Sequence, residues 1–120
     1  MLQPKISSHF NGVFAEVFPT SRQLTSDLDA NDLIAVCREN LTQKLLVHPG
    51  VFVDEIYNPK SAEATSFLQK FDMYSIKAAI LVPSGTDRSK YEDMLSVTNM
   101  GTQFRFFEDE SSARIWLTLD

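Results

Sequence analysis

The sequence predicts a single α/β domain with a mixed, mainly parallel sheet of about five strands and helices packed on it. Three observations carry that expectation. An Asn11-Gly12 pair separates two β-prone runs near the start. After it, apolar runs alternate with amphipathic stretches of helical length, which is the pattern of βαβ units. One of those runs, Ile76 to Val82, is almost continuously apolar. Such a run suits a parallel strand covered on both faces.

The elements follow in order. Ile6 to Phe10 and Val13 to Phe18 flank Asn11-Gly12, a strong hairpin signal because a type I′ turn needs positive φ at both positions. Pro19 lacks an N–H and ends the second strand. Ser26 to Leu41 is a helix with Leu33, Ile34, Cys37 and Leu41 at helical spacing. Ser26 or Asp29 can cap it, and Asp27, Asp29 and Asp32 suit its positive end. Lys44 to His48 is a short strand closed by Pro49-Gly50. Val51 to Tyr57 reads either as strand or as an extended connection. Asn58-Pro59 opens a helix with Ala64, Phe67, Leu68 and Phe71 on one face. Pro83-Ser84-Gly85 breaks the apolar strand. A helix from about Asp87 to Asn99 presents Tyr91, Met94, Leu95 and Thr98, with Gly101 beyond its end. Gln103 to Phe107 is the last strand. Asp109 caps a final helix with Ala113, Trp116 and Leu117 inward. The order is ββαβαβαβα, with right-handed crossovers.

Length and composition bound the function. The 120 residues fit one domain spanning 1–120, and 43% hydrophobic content is enough for a core. One cysteine excludes an internal disulfide. Met1 to Phe10 shows neither the basic start nor the apolar stretch of a signal peptide, and no run reaches the ~18 apolar residues of a membrane span. A cytoplasmic location is the expectation. The net charge of −5 disfavours binding to nucleic acid or acidic membranes.

Several residues are candidates for a site, and most also have a plainer structural reading. His48 ends a central strand, where α/β sites tend to lie, and could serve as ligand contact or acid/base. His9 lies in the hairpin. With no Cys-x-x-Cys or His-x-x-x-His, no zinc site and no other metal or cofactor is expected. Cys37 lies on an apolar helix face and reads as a buried structural thiol. Asp27 to Asp32 begins like a calcium loop, but Asp32 stands where Gly is needed and Arg38 where Glu is needed. Ser84, Gly85, Thr86 and Arg88 join a strand to a helix and could hold an anion, although the P-loop spacing is missing and Asp87 opposes one. Glu108, Asp109 and Glu110 read as a solvated helix start. Phe104, Phe106 and Phe107 read as core rather than as base-stacking residues.

A resemblance adds to this. Ser66-Phe67-Leu68-Gln69-Lys70-Phe71, Tyr74 and Lys77-Ala78-Ala79-Ile80, then Thr98-Asn99-Met100-Gly101 and the pair Phe106-Phe107, resemble the bacterial domain-of-unknown-function 4180 family. The likeness runs from about Ile6 to Leu117. The chain departs from the family pattern at Ser61-Ala62, Thr65, Ser66, Val82-Pro83 and Val97, where glycines or polar residues are usual. The family implies no activity. The element order is also similar to the sulfate-transporter/anti-sigma-antagonist (STAS) fold. In such domains a Ser opening the helix after the third strand can be phosphorylated, and Ser61 sits near that place without the Asp-Ser-Ser-Gly sequence. The first functional expectation is thus a non-catalytic regulatory or protein-interaction module, with a protein partner or self-association. The second is a small-molecule or anion binder at the strand ends. The third is an enzyme using His48 with a carboxylate brought close by the fold.

Overall fold

In a computed structural model of the chain, five strands lie side by side in sequence order: β1 (Lys5–His9), β2 (Gly12–Val17), β3 (Lys44–Val47), β4 (Lys77–Leu81) and β5 (Phe104–Phe107). The structure describes residues 5–9, 12–19, 23–24, 27–53, 62–82 and 104–118. β1 is antiparallel to β2, and β2 to β5 are mutually parallel. This is the predicted mixed, mainly parallel sheet. Three helices are described: α1 (Asp27–Glu39), α2 (Ala62–Met73) and α3 (Glu110–Thr118). The predicted helix over 87–99 lies outside the described residues.

Alternation along the strands divides the core into two layers. Ala15, Val17, Leu45, Val47, Ala78, Ile80 and Phe106 face α1 and α2, meeting Leu33, Ile34, Cys37, Phe67 and Phe71. Phe14, Leu46, Ala79 and Leu81 face the other way, onto Ala113 and Leu117 of α3. Burial on both faces explains why β4 reads as a continuous apolar run. Phe67 anchors the first layer, edge-to-face with Phe52 at 4.9 Å and with Phe71 at 5.9 Å. The side chains of Ala64, Leu68 and Phe104 lie outside the described residues.

Sequential parallel strands require crossovers of one hand, which puts α1 and α2 on the same face. α3 covers the opposite face, with Ala113 and Leu117 against Leu46 and Ala79.

Three local expectations shift. The hairpin register pairs His9 with Gly12, so Gly12 is the first residue of β2 rather than part of the turn. The 51–57 segment is an extended connection over its described part: Phe52 makes a single parallel bridge to Leu24, with Leu24 N–H donating to Val51 O at 2.7 Å and Val53 N–H to Leu24 O at 3.1 Å. Leu41 is 92% exposed instead of inward. α1 ends at Glu39, and Leu41 takes the left-handed position after it, with φ of 55°. Thr42 N–H donates to Cys37 O and Leu41 N–H to Arg38 O, the two bonds of a Schellman motif. α2 ends the same way, with Ser75 at φ 56° and Ile76 N–H donating to Phe71 O.

Candidate functional site

Glu16 is the one acid inside β2, between Ala15 and Val17. Alternation from Phe14 points it toward α3, and it is 1% exposed. β3 supplies its neighbour. Glu16 is level with Leu46, so His48, two residues on, lies on the same face one step further along the strand. His48 N–H donates to Val17 O at 3.0 Å and extends the ladder, fixing the residue in place. From above, α3 brings in Arg114 one turn after Glu110.

Both oxygens of Glu16 are held. His48 Nε2 lies 3.0 Å from Oε1. Arg114 Nη2 donates to Oε1 at 2.8 Å, and Nη1 reaches Oε2 at 3.4 Å. Arg114 Nε also donates to Glu110 Oε2 at 2.8 Å. The Glu16 hydrogen bond is the largest of the causes that raise the Arg114 pKa above its ordinary value, ahead of Glu110, while partial burial opposes the rise. The guanidinium lies 5.7 Å from the centre of the Phe14 ring. Phe18 stacks on His48 at 4.2 Å and 12°.

The proton on this pair is assigned by chemistry. A carboxylate already bound to an arginine only accepts, so Nε2 of His48 carries the hydrogen. In the neutral form of the ring Nδ1 is then the bare nitrogen, and it meets no hydrogen-bond partner among the described residues. Beyond His48 the chain turns at Gly50, φ +93°, where a Cβ would sit 3.2 Å from Pro19 Cβ. Only glycine fits there without strain.

Of the residues singled out in the sequence, His48 is at the predicted strand end. Ser61, Ser84, Gly85, Thr86 and Arg88 lie outside the described residues, as does the His9 side chain. Cys37 is buried, and burial pushes its thiol up to about 12. Asp109 caps α3, accepting from Ser112 N–H at 2.9 Å and Ser112 Oγ at 2.8 Å. Those bonds hold its carboxyl below the usual range. Glu108 and Glu110 are exposed beside it, as a solvated helix start requires. Phe106 is buried and Phe107 packs on Trp116 at 5.6 Å. Among the described residues, no three His, Cys, Asp or Glu side chains gather closely enough to hold a metal ion. No described helix is long and apolar enough to cross a membrane.

Glu16 and Arg114 are not among the candidates that the sequence singles out. A signal for Glu16 exists: an acid set in Val13-Phe14-Ala15-Glu16-Val17-Phe18 must either face water or find a buried cation. Nothing comparable marks Arg114, which sits at the flank of its helix.

Sheet and helices define a mixed α/β domain whose described polar cluster is shared by β2, the end of β3 and α3. The chain belongs to the DUF4180 family of domains of unknown function, whose model matches residues 11–117. Neither a curated protein nor a solved structure matches it.

Proposed function

We propose that this domain is a non-catalytic regulatory or protein-interaction module, in line with its STAS-like element order. The observation that carries the reading is charge matching inside the Glu16–His48–Arg114 cluster. Glu16 is neutralised by Arg114, and Arg114 is bound again by Glu110. A carboxylate held by a guanidinium has little capacity left to stabilise an imidazolium during proton transfer. Such a cluster specifies where α3 docks rather than waiting for a substrate. Strand order supports the same reading. Ligand crevices of open parallel sheets form where the strand order reverses, and β2 to β5 run without reversal.

The test is incubation of the full chain, and of His48→Ala, with a broad metabolite extract followed by mass spectrometry. Identical product profiles are expected, alongside recovery of a stoichiometric protein complex or self-assembly from the native host with either chain. Consumption of a metabolite that depends on His48 would overturn it.

One observation favours a second reading. Glu16 orients His48 as a carboxylate orients a catalytic base, through Nε2, and the His48 side chain is 12% exposed. On that reading His48 is an acid/base acting on a small ligand at the strand ends. The same experiment separates the two.

A further inference from the structure

At the opposite end of the α3 face, Lys44, Lys77 and Arg105 stand together. Lys44 is paired with Lys77 across β3 and β4, and Arg105 of β5 is level with Ala79, two residues beyond Lys77. Alternation places all three on the face that carries Leu46, Ala79 and Phe107. They are three of the 11 basic residues of a chain with net charge −5, so their grouping runs against the overall charge.

Part of the cluster is accounted for by α3. Lys77 Nζ donates to Trp116 O at 2.7 Å, at the helix C-terminus, and lies 4.6 Å from the centre of the Trp116 ring. Arg105 stands over the same ring at 5.6 Å. A helix C-terminus offers roughly half a negative charge, which suits Lys77.

Lys44 is different. Its Nζ is buried and has no hydrogen-bond partner, although the residue as a whole is only half-buried. Lysine ordinarily does the reverse, burying its stem and keeping its ammonium in water. The exposed part of Lys44 must therefore belong to other atoms, while the charge is turned inward on the face that also carries Lys77 and Arg105. A buried ammonium is costly unless an acceptor meets it.

We propose that Lys44, with Lys77 and Arg105, forms a binding site for a small oxyanion beneath the C-terminal end of α3. The ligand class is a phosphate or carboxylate group. Lys44 supplies the point charge, Arg105 a planar fork suited to two oxygens, and Trp116 the apolar wall. The site is separate from the Glu16–His48 cluster and does not depend on its function.

The test uses the full chain in chloride buffer, titrated at constant ionic strength with inorganic phosphate or acetate. Thermal unfolding and amide chemical shifts are followed together. A saturable rise in Tm is expected with at least one anion, with shifts concentrated at residues 43–45, 77, 105 and 116. A response to phosphate alone assigns a phosphate-type ligand, and a response to both assigns oxyanions in general. Lys44→Met is expected to unfold at higher temperature than wild type in chloride and to bind the anion about tenfold more weakly. The proposal is overturned if neither anion gives a saturable response, or if the shifts map elsewhere. The wild-type shift map decides the matter even if Lys44→Met does not fold.

Discussion

Glu16 Oε1 lies 3.0 Å from His48 Nε2, and this contact joins the buried end of β2 to the residue that closes β3. Because Arg114 donates to the same oxygen from α3, one carboxylate ties together two strands and the helix that covers them. The pair also fixes a tautomer. Long-range proton–nitrogen NMR, recorded at a pH high enough for the ring to be neutral, is expected to show its hydrogen on Nε2 and Nδ1 bare in the folded chain. A predominant Nδ1–H form would mean that the Glu16 contact is not made in solution.

The left-handed residues after the first two helices make a stabilising substitution available. Leu41 has φ of 55° and is 92% exposed, so its side chain contributes strain and almost no burial. Left-handed geometry costs a non-glycine residue about 1–2 kcal/mol. Glycine returns roughly 0.5–1 kcal/mol of that through its more flexible unfolded state. Leu41→Gly is therefore expected to raise stability by about 0.5–1 kcal/mol in urea unfolding. A loss of stability would show that Leu41 makes a contact in solution.

The first core layer depends on Phe67. It is fully buried and meets both Phe52 and Phe71 edge-on. Phe67→Ala should cost about 3–5 kcal/mol and Phe67→Leu much less. Equal losses from the two substitutions would point away from cavity formation.

Two of the described groups contribute to the pH dependence with opposite signs. The folded pKa of Asp109 is depressed by its bonds from Ser112. Its contribution is present above the unfolded carboxylate pKa and is lost as pH falls through the lower folded value. The Tm gap between wild type and Asp109→Ala should therefore be widest near neutrality and close in acid, while Asp109→Asn keeps most of the cap. The Cys37 thiol is raised from 9.0 to about 12. Its contribution is full below the unfolded value and is lost as pH rises through the window from 9.0 to about 12. At pH 8, iodoacetamide should leave folded Cys37 unmodified and alkylate it once urea unfolds the chain.

Much of the fold was legible in the sequence because periodicity reports local geometry. Phe67 and Phe71 at i and i+4 marked the buried face of α2, and the β4 run marked a strand covered twice. The Asp109 cap was legible for the same local reason. Leu41 misled because its spacing continued a helical pattern that the backbone had already ended. Hairpin register depended on pairing between strands, and a one-residue slip leaves the Asn-Gly signal in place. The candidate site was legible only through His48. Glu16 and Arg114 are 98 residues apart in the chain and meet only because α3 folds back over β2 and β3. No local pattern records such a meeting.

The central claim is that Glu16 and Arg114 form a matched pair that fastens α3 to the sheet. A double-mutant cycle in urea unfolding tests it most directly. Arg114→Met leaves a buried carboxylate poorly paired and should cost about 3 kcal/mol. Glu16→Leu should be destabilising too, and the double variant should lose far less than the sum of the two, because it removes both charges together. Additive losses would contradict the account, since they would mean that the two charges do not sense each other in the folded chain.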